Sequence, residues 1–106
     1  MDSLPDSSSA LIQALDDAEA ALQRGDAAGA RVLLSGLEPR LLAAGLSKLV
    51  PRFFRLASDC ERLAGNISEA MRLCSKGLSR VDDPKDEERQ RLIALGRRII
   101  EDSDAK

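Results

Sequence analysis

The segment GDAAGA occupies residues 25–30, and a related segment, GNISEA, occupies residues 65–70. Each copy lies between two segments whose apolar residues recur every three or four positions, which is the spacing of an amphipathic helix. Glycine suits the left-handed residue that ends a helix, and the Asp or Asn that follows it suits the position before the next helix. The sequence therefore predicts two helical hairpins, which turn at Gly25-Asp26 and at Gly65-Asn66.

The composition also favours helices. The 106 residues are 43% hydrophobic and 32% charged, but only 2% aromatic. A core with so few aromatic residues has to be built mainly from Leu and Ala packed between closely spaced helices, whereas strands are enriched in aromatic and β-branched residues. We expect an all-α protein with about five antiparallel helices, formed by the two hairpins and a C-terminal capping helix.

The predicted helical domain spans residues 8–102, with a flexible lead at 1–7 and a frayed tail at 103–106. A serine just before the first helix caps it, and the helix runs to about Arg24. The second helix follows the first turn. We expect Pro39 to break or bend this helix, because proline lacks a backbone donor and clashes with the preceding turn.

The remaining boundaries follow from capping residues and prolines. The third helix is predicted to begin at Ser47, with Pro51 in or just beyond its first turn, and to be the most buried helix. The fourth helix ends near Arg80. The fifth is predicted to begin with Asp83 as its cap and Pro84 as its first residue, where a missing N–H costs least.

The charges are unevenly distributed along the chain, although the formal net charge is only −2. Residues 1–30 carry six acidic groups and one basic group, residues 31–80 carry nine basic and four acidic groups, and residues 81–106 carry eight acidic and six basic groups. Phosphate binding depends on a net basic face, and here the basic segment has acidic segments on both sides. We therefore expect no nucleic-acid partner.

Two further features indicate the compartment. Residues 1–6 lack the basic and apolar regions of a signal peptide, and no apolar run approaches the roughly 20 residues that span a bilayer. The two cysteines, Cys60 and Cys74, are too few for a disulfide framework. We expect a cytoplasmic protein that is not inserted in a membrane.

Residues suited to catalysis are scarce. The chain has no histidine, so a serine or cysteine nucleophile would lack its commonest activating base. Cys60 and Cys74 fall on apolar helix faces and are predicted to be buried packing residues, with a reactive or metal-binding role as the alternative. The glycines match no phosphate-binding loop or dinucleotide fingerprint. We expect no enzymatic activity, no catalytic residue, no cofactor and no metal.

Aligned on their turns, the two hairpins resemble tetratricopeptide repeats, which place a small residue in the first helix, a Gly-Asp or Gly-Asn turn, and then alanine and a large apolar residue in the second. The matching positions are Ala18, Gly25-Asp26, Ala30, Leu34 and Leu37 in the first unit, and Phe54, Ala57-Ser58, Gly65-Asn66, Ala70 and Cys74 in the second. The turns lie 40 residues apart, not the 34 of the family. The difference implies a longer second helix or an extra turn around Pro39 to Gly45.

In that family the first helix of each repeat lines a concave groove that holds a partner. Carried over by position, the resemblance implies the following partner-binding residues: Ile12, Leu15, Glu19, Leu22, Arg52, Arg55, Asp59, Arg62 and Leu63. Independently of the resemblance, the four charged residues from Arg52 to Arg62 are spaced three, four and three apart and share one helix face, here called the arginine face. This face could hold a carboxylate or an acidic peptide by charge-assisted bonds. The alternative is a solvated face with local pairing of Arg55 or Arg62 to Asp59.

The functional expectation is an adaptor or small chaperone that holds a peptide or helix of another protein in its groove, an acidic one if the arginines take part. The alternative is a structural module that self-associates. Two repeats with so few aromatic residues bury little area, so a second copy of the chain would complete the exposed apolar surface and form a homo-oligomer.

Overall fold

The computed structural model describes residues 7–104 and is all-α, as predicted, with no strand in that range. Its helices are α1 (Ser8–Gln23), α2 (Ala27–Leu34), α3 (Leu37–Ala43), α4 (Val50–Leu63), α5 (Ile67–Leu78) and α6 (Glu87–Asp104), with a short 3-10 turn, Ser47–Leu49, before α4. The expected second helix is present as two, α2 and α3. Residues 1–6 of the predicted lead and 105–106 of the predicted tail lie outside the described residues, and α6 itself extends through Asp104.

Both predicted hairpin turns are present. Gly25 and Gly65 have φ values of +77° and +88°, the left-handed conformation that glycine adopts without steric cost. The Asp26 carboxylate accepts a hydrogen bond from the Gly29 N–H at 2.9 Å and caps α2. Asn66 occupies the equivalent position before α5, but its side chain makes no capping bond. Its amide instead donates to the preceding helix, at Glu61 Oε1 (2.8 Å).

The break between α2 and α3 lies at Ser35 and Gly36, so the prediction of a break at Pro39 is wrong. Gly36 has a φ of +67°, which a right-handed helix cannot contain. Pro39 is the third residue of α3, where a backbone N–H would have no intrahelical acceptor and its absence costs little. The break directs Leu37 and Leu41 into the core, where they are 1% and 0% exposed.

The start of α6 also differs from the prediction, which placed Asp83 as the cap and Pro84 as the first helical residue. These residues form a turn: the Asp83 carboxylate accepts from the Lys85 N–H at 2.9 Å, and its carbonyl accepts from the Asp86 N–H at 3.0 Å. Asp86 Oδ1 then accepts from the Glu88 N–H at 2.8 Å, just inside the helix. The Asp86 carboxylate, unlike that of Asp83, reaches a free N–H group of the first turn, so the helix begins at Glu87.

Helix α4, predicted to be the most buried, is the helix that all the other described helices contact. It begins with Val50 and Pro51 in its first turn, immediately after the 3-10 turn at Ser47–Leu49. On one side, α4 completes a core cluster shared with α1, α2 and α3. On its other side lie α5 and α6, which form a second, smaller cluster. The members of the smaller cluster are Ala70, Cys74, Leu92, Leu95 and Ile99.

The two halves of the fold meet at Gly77 on α5, which is buried. A Cβ atom added there would lie 3.0 Å from the Cβ of Phe54 on α4 and 2.9 Å from a methyl group of Leu92 on α6. Such distances are shorter than ordinary van der Waals contact, so the three helices can approach this closely only because the residue has no side chain.

Candidate binding groove

The arginine face of α4 lies between α1 and α6. Arg52 Nη2 donates to Asp16 Oδ1 and to Glu19 Oε1, each at 2.8 Å, and both acceptors belong to α1. Arg55 Nη2 also lies 3.6 Å from Glu19 Oε1. Helix α1 forms one wall of the groove and α4 forms its floor. Ion pairs between residues more than 30 positions apart in the sequence therefore join this wall to the floor.

The other wall is formed by α6, which is held to α4 in the same way. The Arg55 guanidinium donates to the Glu88 carboxylate. Arg62 Nη1 donates to Asp102 Oδ2 at 2.9 Å, while its Nη2 lies 2.7 Å from Asp59 Oδ1. The local pairing considered from the sequence thus occurs for Arg62 with Asp59, whereas Arg55 binds a carboxylate on α6.

These pairs change the expected role of the arginine face. The side chains of Arg52, Arg55 and Arg62 are only 21%, 15% and 12% exposed, and each guanidinium already binds a carboxylate of the same chain. A partner carboxylate would have to displace an existing ion pair that is partly shielded from water. The arginine face therefore acts first as a set of clamps that join α1 and α6 across α4.

The apolar residues predicted to bind a partner divide into two groups. Leu15 and Leu22 are 0% and 7% exposed and belong to the core of the protein. Ile12 and Leu63 are each 39% exposed and remain available at the surface. Ile12 lies on the same side of α1 as Glu19, seven residues along the helix, and Leu63 lies at the end of α4.

Two concavities lie along this face of α4. The larger, about 470 Å³, is here called the Leu63 concavity and is lined by residues of α1, α4 and α6 that include Glu19, Leu22, Arg62 and Leu63. The smaller, about 300 Å³, is called the Ala94 concavity. Its lining residues are Arg55, Asp59, Arg91, Ala94, Leu95 and Arg98. Arg55, Asp59 and Arg98 line both, so the concavities are parts of one groove.

The four α6 residues that line the groove are absent from the sequence-based set of binding residues; they are Arg91, Ala94, Leu95 and Arg98. The resemblance carried over only the first helices of the two recognised hairpins, and α6 was interpreted as a cap. The sequence does hold a signal, since Arg91 and Arg98 lie seven residues apart and so share one helix face. It could be connected with the groove only once the contact of α6 with α4 was known.

The carboxylate of Glu19, which lines the groove, has a perturbed pKa. Its hydrogen bond with Arg52 lowers the pKa of Glu19 below the usual 4.5, against the opposing effect of burial. A lowered folded-state pKa means that the ion pair stabilises the protein above the unfolded-state pKa and that this stabilisation is lost as the pH falls through the folded-state value. We therefore expect the pair to contribute at neutral pH and to fail in acid.

A double-mutant cycle with Glu19→Gln and Arg52→Gln measures this contribution. The coupling free energy, obtained from urea unfolding of the four proteins, should be favourable at neutral pH and should fall towards zero as the pH is lowered through the folded-state pKa of Glu19. A coupling energy that stays constant from neutral pH to that value would contradict the assigned ion pair.

The two cysteines are buried, as predicted, with 2% of each residue exposed. Cys60 Sγ donates to the Ala27 carbonyl at 3.1 Å, and Cys74 Sγ donates to the Leu92 carbonyl at 3.2 Å. Burial raises the pKa of both thiols, which disfavours the reactive thiolate. Across residues 7–104 no three His, Cys, Asp or Glu side chains are grouped so that they could hold a metal ion.

Comparisons with protein-family models, with curated proteins and with solved structures gave no match. None of the helices between residues 7 and 104 combines the length and the apolar character needed to cross a bilayer.

Proposed function

We propose that this protein is an interaction module, an adaptor or small chaperone, whose two hairpins are tetratricopeptide-like and whose groove holds a peptide or helix of another protein. The observation that carries the proposal is the Leu63 concavity. It combines the exposed Leu63, which lies beside the buried Leu22, with a rim of charged groups on three helices. An apolar centre with a polar rim is the usual composition of a protein-binding surface.

A binding role also agrees with the scarcity of residues suited to catalysis. The chain has no histidine, and the two thiols are buried with a raised pKa. The arginines of the arginine face are paired with carboxylates of α1, α4 and α6, which suits a rigid scaffold better than proton transfer. We place the module in the cytoplasm, where buried thiols such as Cys60 and Cys74 stay reduced.

The test compares two substitutions of exposed apolar residues. Leu63→Asp puts a charge in the groove, whereas Val32→Asp puts the same charge on α2 at a side chain that is 76% exposed and lines neither concavity. Circular dichroism first establishes that both variants are folded. We then expect Leu63→Asp to lower the yield of the partner that co-purifies from the native cell at least tenfold, which corresponds to a loss of about 1.4 kcal/mol of binding free energy. Val32→Asp should leave the yield unchanged.

Equal yields with the two variants, or an equal loss with both, would contradict binding in the groove. The folded state of each variant is checked separately, so a loss of partner cannot be mistaken for a loss of structure.

A second candidate function is self-association, which is favoured by the outer side of α6. Ile93 and Ile100 are 37% and 50% exposed and lie two helical turns apart on the same face. A second copy that covers them would give a mass twice the 11.4 kDa of one chain. Sedimentation over a range of concentrations should then show a dimer that becomes a monomer in the Ile93→Glu/Ile100→Glu variant. A wild-type monomer throughout would exclude this candidate.

A further inference from the structure

Arg98 differs from the other arginines that line the groove. It is exposed and contributes to both concavities, yet its guanidinium makes no hydrogen bond or ion pair with any residue between 7 and 104. Arg55 and Arg62 are held by carboxylates, as described above. Arg91 lies 3.8 Å from Glu88 Oε1, beyond hydrogen-bond distance, and its side chain is 58% exposed. Arg91 and Arg98 lie on the same face of α6 and can therefore still bind an anion.

The charge of the groove points in the same direction. Four arginines line the two concavities, namely Arg55, Arg62, Arg91 and Arg98. Arg55 binds Glu88, and Arg62 binds Asp59 and Asp102. Among the described residues of the groove, the positive charge without a hydrogen-bonded carboxylate is thus that of Arg98 and of Arg91, which is only weakly paired with Glu88 at 3.8 Å.

Apolar surface lies near these two arginines. Ala94 lies between them on α6 and is exposed, and Leu63, which is 39% exposed, lines the Leu63 concavity together with Arg98. A ligand that contacts both the two arginines and the apolar surface must therefore carry a carboxylate next to a large apolar side chain. Nucleic acid fits poorly, because binding of a phosphate backbone depends on a broad basic face, and of the arginines that line this groove within residues 7–104 only Arg91 and Arg98 lack a hydrogen-bonded carboxylate.

We propose that Arg91 and Arg98 form the anion-binding end of the groove, and that the partner is a protein segment with Asp or Glu beside Leu or a similar residue, as on one face of an acidic amphipathic helix. This proposal rests on the proposed function and names the partner chemistry for the same groove. It also differs from the sequence-based prediction, because the arginines that bind the partner's carboxylates lie on α6 and not on α4. Each guanidinium would make charge-assisted hydrogen bonds to a carboxylate, a strong class of polar contact.

The test uses a synthetic probe, an acetylated and amidated helical peptide with leucines along one face and glutamates beside them, and the same peptide with glutamine in place of glutamate. Binding is followed by fluorescence anisotropy with the full chain at low and high salt. The Arg91→Gln/Arg98→Gln variant should bind the acidic peptide at least tenfold more weakly than wild type. A matched variant, Arg97→Gln/Lys85→Gln, removes the same charge from residues that line neither concavity and should bind like wild type.

The proposal predicts, in addition, that wild type prefers the glutamate peptide to the glutamine peptide and that salt weakens the preference. Equal binding of the two peptides, an equal loss in both double variants, or no binding of the acidic peptide would overturn it. These outcomes are separate from the failure of the proposed function, because dependence of the native partner on Leu63 can hold while the acidic peptide does not bind.

Discussion

Gly77→Val is expected to lower the free energy of unfolding by about 3 kcal/mol, the upper part of the range for overpacking a well-packed interior. The first added carbon would lie 3.0 Å or less from atoms of Phe54 and Leu92, and the two methyl groups of valine would extend further into the same contact. The side chain of Leu92 can rotate away only by disturbing the small α5–α6 cluster. Urea unfolding followed by far-ultraviolet circular dichroism measures the change.

The matched control is Gly96→Ala on α6. A Cβ atom there would lie 3.6 Å from Cys74 Sγ, an ordinary contact, so the substitution adds helix propensity without strain. We expect the stability to rise by up to about 1 kcal/mol. If Gly77→Val unfolded at the wild-type denaturant concentration, the close approach of α4, α5 and α6 would be refuted.

Leu92→Ala is expected to cost about 3 kcal/mol and to weaken the docking of α6 in particular. Leu92 is fully buried in the cluster that joins α6 to α5, and that cluster has only five buried members. Removing a buried leucine side chain typically costs 2–5 kcal/mol because a cavity remains. Since so few apolar contacts hold α6, it should open more often than the rest of the fold.

The two cysteines make this opening measurable. Cys74 lies under α6, where it bonds to the Leu92 carbonyl, and Cys60 lies under α2, where it bonds to the Ala27 carbonyl. In Leu92→Ala, a thiol reagent should modify Cys74 faster than in wild type, by a larger factor than Cys60. Ile93→Ala, next in sequence and 37% exposed, should change neither rate appreciably. Equal acceleration at both cysteines would show that α6 does not open independently.

Local signals in the sequence were sufficient to predict much of the fold. The Gly25 and Gly65 turns carry their own conformational preference, and Ser7 caps α1 with its side chain at 3.2 Å from the Ala10 N–H. The errors arose where two local signals compete. Pro39 competes with Gly36, three residues before it, where the helix actually breaks, and Asp83 competes with Asp86, whose carboxylate reaches the free N–H groups of α6.

The groove was less predictable, because its properties come from contacts between distant residues. The spacing of Arg52, Arg55 and Arg62 placed them on one face of α4, but no helix periodicity could reveal that Glu19 and Glu88, on α1 and α6, would neutralise two of them. Burial of Leu15 likewise depends on how α1 packs against its neighbours. Sequence reasoning therefore found the face of α4 on which the groove lies, and missed the residues of α6 that also line it.

The most direct measurement of the central claim, that the groove on α4 holds a segment of another protein, is site-specific photo-crosslinking in the native cell. A photoreactive amino acid placed at Leu63 should yield an adduct whose mass is that of this chain plus a different protein, and its sequenced crosslink should lie in an acidic, leucine-containing segment. The same group at Val32, more exposed but outside the groove, should yield no such adduct. Adducts of equal yield at both positions, or an adduct at Leu63 made only of two copies of this chain, would contradict the claim.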